Sequence, residues 1–313
     1  MANQQTTLGG SISIAGIGVH SGAPARITLF PAPAGTGIQF RRTNLPGGQA
    51  RALRAHVDLV TQTDLCTVIG NRDEASVSTI EHLMAALRGL GVDNAVVSID
   101  GPEMPIMDGS SQAFVEAIDA IGVTSLATPR SYIRILKPVR VEHGRAWAEL
   151  SPYRKGFRLE VEIDFDDALI GRQSIELDLT PKVFRRELAY ARTFGFMKDF
   201  EKLSAIGLAK GSSLDNTVVI GDGEVLNADG LRGADEFVRH KALDAVGDLA
   251  LSGIALQGCY RSYCGGHKLN VAMLRALFAD SSAWTVVEDT VPARAGLGDL
   301  IPALKPAFSP DKN

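Results

Sequence analysis

The sequence predicts an α+β fold made of two successive units with a similar order of elements. Short runs of alternating or β-branched residues, separated by Gly and Pro, indicate strands in both halves of the chain. Apolar residues at three- and four-residue steps indicate a few helices between these strands. The length of 313 residues is compatible with two domains of ordinary size.

The first half is predicted to contain several strands, a helix, a further strand and a second helix. Strands are expected at residues 11–19, 26–30, 37–41, 66–70 and 94–100. Helical spacing predicts a helix at residues 79–89, with apolar side chains at Ile80, Leu83, Met84 and Leu87. Ser110 or Ser111 can cap the second helix, which extends to about residue 121.

The second half repeats the change from strands to helices. A linker with Pro129 is predicted at residues 124–131, which divides the chain into domains at 1–127 and 128–313. Strand-like alternation resumes over residues 132–164, and the best helices are at 181–191 and 235–251. A glycine-rich segment lies between these helices, and the tail after about residue 302 is predicted to be frayed.

Composition excludes several functional classes. The 32 Lys and Arg residues and 36 Asp and Glu residues are scattered, so the sequence shows no extended basic footprint for nucleic acid. The chain has no signal-peptide pattern and no apolar run near the roughly 18 residues that a membrane span needs. Its three cysteines, Cys66, Cys259 and Cys264, form no CxxC pair. We therefore expect a cytoplasmic protein with reduced thiols. A monomer is also expected, although composition does not determine the oligomeric state.

The start of the helix predicted at residues 79–89 has two interpretations. Ser78 and Glu81 have the spacing of a capping box, in which Glu81 only supports the helix start. The same placement puts His82 in the first helical turn, where the helix dipole disfavours imidazolium and keeps the ring neutral for metal binding. An adjacent carboxylate and neutral imidazole suit a general base beside a metal ligand.

A second candidate segment lies on the helix predicted at residues 235–251. His240, Asp244 and Asp248 are spaced four residues apart and share one helix face. The alternative interpretation is a solvated face with a weak His–Asp pair. Together with His82, however, His240 and Asp244 provide two nitrogen ligands and one oxygen ligand, and leave a fourth position open, as in catalytic zinc sites.

A zinc ion at these ligands would acidify a water molecule, and Glu81 could accept its proton. Hydrolysis of an amide also needs a proton donor for the amine leaving group. His267 lies in a glycine-rich segment, where a surface turn is the alternative interpretation. A carboxylate such as Asp248 would stabilise the charged form of His267 and make it a general acid.

The chain resembles the family of UDP-3-O-acyl-N-acetylglucosamine deacetylases, the zinc amidases of bacterial lipid A synthesis. The likeness covers roughly residues 16–278 and rests on several long motifs in the same order. These motifs are GVHSG at 18–22, TIEHLMAAL at 79–87, DNAVV at 93–97, GPEMPIMDGS at 101–110, ARTFGF at 191–196 and DEFVRHKALDAVGDL at 235–249.

The resemblance implies roles for individual residues. His82, His240 and Asp244 match the zinc ligands, Glu81 the general base, and His267 with Asp248 the group that protonates the amine. Thr193 and Lys241 match residues that act at the oxyanion. Phe194 and Phe196 match residues near the acyl chain, in an insert at about residues 193–223 that forms the acyl passage. Leu214 would add apolar surface to this passage, and plain core packing is the alternative interpretation of these side chains. The implied fold has two α+β domains whose sheets enclose the helices, each with a small insert.

The chain departs from the family pattern in three segments. Ser212 stands where a second glycine is common and would narrow the acyl passage. Cys264 replaces a frequently basic or hydroxyl residue, which affects how the diphosphate is held. Asp167 and Ala168 replace a common His-Pro pair, so nucleotide contacts there differ from the family pattern.

The expected activity is hydrolysis of the N-acetyl amide of UDP-3-O-(3-hydroxyacyl)-N-acetylglucosamine, with Zn²⁺ as cofactor and acetate as one product. Two alternatives remain open from the sequence. The same zinc site could act on another acylated sugar nucleotide, or the chain could be a non-catalytic relative that binds UDP-sugars or lipids. The intact Glu81, His82, His240, Asp244 and His267 disfavour the second alternative.

Overall fold

A computed structural model describes residues 4–71 and 73–288 of the chain. The tail predicted to be frayed lies outside the described residues. Within them, no helix is long and apolar enough to cross a bilayer. Cys66, Cys259 and Cys264 are all unpaired, as their spacing predicts.

The described residues contain strands and helices in both halves of the chain. The strands, in chain order, are β1 Gln4–Leu8, β2 Ile12–Ile17, β3 Pro24–Pro31, β4 Ile38–Arg42, β5 Arg51–Arg54, β6 Val60–Gln62, β7 Val68–Asn71, β8 Ala75–Val77, β9 Ala95–Ile99, β10 Val123–Pro129, β11 Ser131–Ile135, β12 Val139–His143, β13 Ala146–Ser151, β14 Phe157–Asp164, β15 Arg172–Asp178, β16 Phe194–Phe196, β17 Val218–Gly221, β18 Glu224–Val225, β19 Ala255–Tyr263 and β20 Trp284–Glu288. The α-helices are α1 Glu81–Leu90, α2 Gln112–Ile121, α3 Pro181–Val183, α4 Met197–Ala205, α5 Glu236–Leu249 and α6 His267–Ala279. The predicted α+β class is confirmed.

The first half is built on a five-stranded sheet of order β2-β3-β9-β4-β5. Its neighbours pair antiparallel except β4 and β9, which are parallel. Ile27, Leu29, Phe40, Val97 and Ile99 alternate along these strands and are fully buried, so one face of the sheet contributes to the apolar core. A small antiparallel sheet, β6-β7-β8, leads into α1.

The second half is built around β19, which the sequence did not predict. This strand pairs with β13 antiparallel and with β11 and β14 parallel, in a seven-stranded sheet. Six of its residues in a row, from position 255 to 260, are buried, so polar and apolar positions do not alternate. A strand buried on both faces lacks the two-residue periodicity on which sequence-based prediction relies.

The helices α1 and α5 pack against each other, and α5 also packs on β14 and β15. Gly247 of α5 allows this close approach, because a Cβ at this position would lie 2.1 Å from the backbone oxygen of Glu81. The contact places the first turn of α1 beside the C-terminal half of α5. The two predicted site segments, one from each half, are therefore brought together within the apolar core.

Some predicted elements are wrong. The predicted linker at residues 124–131 is largely strand β10, which pairs antiparallel with β1. The division of the chain into two domains near this strand stays a prediction. The helix predicted at 181–191 is one turn, α3, followed by a π-helical segment, Phe184–Leu188. The predicted capping box is also absent, because α1 begins at Glu81 and the Ser78 backbone N–H donates to Pro102 O.

Candidate metal centre and active site

The two helices bring three buried metal-ligating side chains together. His82 belongs to the first turn of α1, and His240 and Asp244 lie one turn apart on α5. Asp244 Oδ1 lies 3.4 Å from His240 Nε2 and 3.7 Å from His82 Nε2. One ligand atom from each residue lies within 4.8 Å of the others, which is a spacing that a single metal ion can bridge.

The hydrogen bonding of these groups leaves ligand atoms available. The Nδ1 of His240 lies 3.0 Å from the backbone oxygen of Ala191, which is the partner expected when Nδ1 carries the proton and Nε2 keeps its lone pair. Asp244 Oδ1 is buried and has no hydrogen-bond partner among the described residues. A buried carboxylate oxygen without a partner is costly, and a cation between it and the imidazoles would satisfy it.

The electrostatics of the triad also fit a divalent cation. Burial lowers the pKa of His82 to about 3, and His240 adds to the effect, so the ring is neutral. The pKa of His240 is lowered as well, mainly by burial. Burial opposes ionisation of Asp244, but His240 and the Lys241 ammonium outweigh it and hold the pKa of this carboxyl well below its usual range. Two neutral imidazoles and one carboxylate are the protonation states that metal binding requires.

Glu81 lies beside the triad and is 3% exposed. Its Oε2 accepts a hydrogen bond from the Thr67 backbone N–H at 3.1 Å, and its Oε1 is 3.8 Å from His267 Nε2. Burial raises the pKa of Glu81 to about 7; Asp248 and Asp244 add to the shift, while His267 opposes it. A carboxyl group with a pKa near neutrality can both accept and release a proton at physiological pH.

His267 faces Glu81 from the first residue of α6, and not from a surface turn. Its Nδ1 is 2.8 Å from Asp248 Oδ2, and its Nε2 points to the same region as Glu81 and Asp244. Burial lowers the pKa of this histidine, but the charge and hydrogen bond of Asp248 outweigh burial and raise the pKa to about 10. The imidazole is therefore held in its charged, proton-donating form.

Sequence reasoning missed the groups that hold Asp248. This carboxylate is fully buried and accepts hydrogen bonds from Thr67 Oγ1 at 2.6 Å and Asn270 Nδ2 at 2.8 Å. Asn270 Oδ1 in turn accepts from Tyr260 OH at 2.5 Å. Thr67 is 181 residues from Asp248, so no local pattern could reveal it. Asn270 is one helical turn after His267, and that spacing was an available signal.

A cavity of about 430 Å³ opens onto these groups. Thr193, Phe194, Phe196 and Lys241 line it together with Glu81, His267 and the three candidate metal ligands. Leu214, predicted to contact the acyl chain, is not among its lining residues. Leu214 is 49% exposed. Asn227 Nδ2 donates a hydrogen bond to the backbone oxygen of Leu214 and holds the loop in which this side chain faces outward.

Contacts with neighbouring residues fix the positions of two of these lining residues, Lys241 and Thr193. Lys241 Nζ is 2.9 Å from Asp244 Oδ2 and 5.6 Å from the centre of the Phe194 ring, which is within range of a cation–π contact. The Thr193 backbone N–H donates to Gly109 O at 2.8 Å, and its carbonyl accepts from the Val218 N–H. The Lys241 ammonium thus lies beside the triad, and the backbone of Thr193 is fixed at the wall of the cavity.

Comparison with known families agrees with this geometry. Residues 5–279 match the sequence model of the family described as LpxC, UDP-3-O-acyl N-acetylglycosamine deacetylase. The chain belongs to this family. The relatives found include curated proteins named UDP-3-O-acyl-N-acetylglucosamine deacetylase from Brucella ovis (strain ATCC 25840 / 63/290 / NCTC 10512), Brucella abortus (strain S19) and Brucella melitensis biotype 2 (strain ATCC 23457). Each is 54% identical over 285 residues, which cover 91% of this chain and 98% of the relative.

The LpxC family is metal-dependent, which agrees with the candidate metal-ligating triad. Of the departures from the family pattern, Ser212 lines the cavity and pairs with Thr217 through their hydroxyls at 2.9 Å. Cys264 and Asp167 are not among the cavity-lining residues. The Asp167 carboxylate instead accepts from the Leu169 N–H and shapes a turn.

Proposed function

We propose that this LpxC-family chain hydrolyses the N-acetyl amide of UDP-3-O-acyl-N-acetylglucosamine and releases acetate, as a step of lipid A biosynthesis. The observation that carries the proposal is the arrangement of a candidate base and a candidate acid around one metal-ligating triad. Glu81 and the Asp248-bound His267 lie 3.8 Å apart at closest approach and face the same cavity as His82, His240 and Asp244.

Zinc is the metal that this ligand set favours. Two imidazole nitrogens and one carboxylate oxygen, with a further position open toward a cavity, are typical of catalytic zinc sites. When bound, the metal would lower the pKa of a water molecule and polarise the amide carbonyl. His82, His240 and Asp244 would hold it.

The remaining steps are proton transfers by residues of this chain. Glu81 would accept a proton from the water as its oxygen attacks the carbonyl carbon. His267, held charged by Asp248, would donate a proton to the nitrogen as the C–N bond breaks. Lys241 and Thr193 would stabilise negative charge on the carbonyl oxygen. The products are acetate and the free 2-amine of the sugar.

The apolar part of the cavity suits the acyl group. Beyond the catalytic groups, it is lined by apolar side chains: Phe194, Phe196, Phe200, Leu203, Ala209 and Val219. Burial of an acyl chain contributes about 0.8 kcal/mol per methylene, so each methylene that fits the cavity would raise affinity severalfold.

The test of this function is a comparison of substrates that differ only in the acyl group. We expect acetate release from the UDP-linked, 3-O-acylated sugar and at least 100-fold lower kcat/KM for UDP-N-acetylglucosamine. Metal analysis of the same preparation should give about one zinc per chain. Equal rates on both substrates would favour another sugar nucleotide, and the absence of both bound metal and acetate release would favour a non-catalytic binding protein.

Thr67 provides a more specific prediction, because it contacts both the base and the partner of the acid. Thr67→Val removes the hydroxyl that donates to Asp248 and retains the backbone N–H that donates to Glu81. A hydrogen bond to a charged group contributes roughly 1.5–3 kcal/mol. We expect kcat to fall about tenfold or more with little change in KM. Thr67→Ser keeps the hydroxyl and should restore most of the rate, whereas equal losses in both variants would contradict the role.

We also propose that the enzyme acts as a monomer, since one chain supplies every proposed ligand and catalytic group. The division into two domains near residue 127 and the cytoplasmic location stay predictions from the sequence.

A further inference from the structure

A second cavity, of about 380 Å³, lies at the opposite end of α1 from the metal ligands. Arg88, in the last turn of α1, lines this cavity. At a rise of roughly 1.5 Å per residue, Arg88 is about 9 Å from His82 along the helix axis. The two cavities share no lining residue among those described.

The walls of this second cavity are mostly apolar. They include Leu90, Phe157, Leu179 and Leu256. Thr180 and Pro181 form an exposed part of the rim, so the cavity is reachable from solvent. An apolar cavity with few polar groups is the usual form of a small-molecule site.

The polar groups of the cavity carry an excess of positive charge. Arg130 donates two hydrogen bonds to Asp93 Oδ1, from Nε at 3.0 Å and from Nη2 at 2.8 Å. Arg88 has no such partner: its Nη1 is buried and makes no hydrogen bond to any described residue. Burial and the neighbouring Arg130 lower the pKa of Arg88 to about 10, with Asp93 opposing them, and the guanidinium stays charged at neutral pH.

A buried guanidinium nitrogen without a partner is costly for folding. The negative end of the α1 dipole offsets part of this cost, but gives Nη1 no acceptor. Arg88 lines the cavity, so a carboxylate bound there would pair with its charged guanidinium, and an apolar body attached to the carboxylate would fill the cavity. These are the features of a small carboxylic acid with a hydrocarbon chain.

We propose that this second cavity binds a small apolar monocarboxylate, with its carboxylate on Arg88 and its hydrocarbon part against Leu90, Phe157 and Leu256. The site is separate from the proposed active site, and its occupancy does not depend on the deacetylase activity.

The test uses the full chain with labelled leucine methyl groups and octanoate as the probe. Leu90, Leu179 and Leu256 report on the second cavity, and Leu203 reports on the active-site cavity. We expect octanoate to shift the methyl signals of the second cavity in a saturable manner. Octanol, which lacks the charge, should need at least tenfold higher concentration.

Arg88→Gln should weaken octanoate binding at these signals at least tenfold. Lys182→Gln is the matched control, because Lys182 is an exposed cation beside the rim and its loss should leave binding unchanged. If Arg88→Gln fails to fold, the comparison of octanoate with octanol on the unaltered chain still tests whether binding requires the carboxylate. Equal binding of both probes, or shifts confined to Leu203, would overturn the proposal.

Discussion

Replacement of Glu81 by Gln is expected to lower kcat by a factor of roughly 10²–10⁴, the usual contribution of a general base. The amide has nearly the same shape as the carboxylate and can still accept from the Thr67 N–H. It cannot accept a proton from water. Because His82 and the ligands on α5 are unchanged, bound metal should stay near one per chain. The measurements are steady-state kinetics and metal analysis of the same protein.

The control for this variant is Glu116→Gln, which changes an exposed glutamate of α2 and should leave the rate unaltered. The pH profile provides a second readout. A base acts when deprotonated, so kcat/KM of the unaltered enzyme should rise with pH through the pKa of Glu81. That pKa is about 7 without metal, and a nearby divalent cation would lower it. A Glu81→Gln enzyme with near-normal turnover would exclude Glu81 as the base.

Replacement of His82 by Ala is expected to abolish activity through loss of the metal. Removal of groups that only orient metal ligands commonly costs 10–100-fold in metal affinity, so removal of a ligand itself should cost more. The variant should contain well below one metal per chain after dialysis. Added zinc at high concentration should restore only part of the activity.

His143→Ala is the matched control, because His143 is an exposed histidine of β12 that does not line the active-site cavity. It should bind metal and turn over normally. Full metal content in the His82→Ala enzyme would show that the metal lies elsewhere, whatever the effect on rate. The Glu81 and His82 variants therefore separate the loss of the base from the loss of the metal.

The parts of the fold predicted from the sequence are those with a local signal. The apolar spacing in α1 and the stripe of His240, Asp244 and Asp248 on α5 are local, and both helices are present at nearly the predicted bounds. Strand β19 lacks alternation because it is buried on both sides. The local sequence of β10 predicts a linker, because its partner β1 lies at the other end of the first half of the chain.

The site shows the same division between local and long-range information. The motifs containing His82 and His240 were visible separately, and the structure brings them together through the packing of α1 on α5. Thr67 escaped prediction because its two hydrogen-bond acceptors, on Glu81 and Asp248, come from different helices. The outward position of Leu214 likewise depends on a tertiary contact, its hydrogen bond to Asn227.

The close approach at Gly247 has a consequence for the order of folding events. His82 and His240 come from different halves of the chain, and they meet only after α1 has docked on α5. A nascent or partly unfolded chain therefore holds no complete ligand set. Metal would be captured at the end of folding and would then stabilise the native state by mass action, in proportion to the logarithm of its concentration. The metal concentration would thus affect the lifetime of the folded protein as well as its catalytic activity.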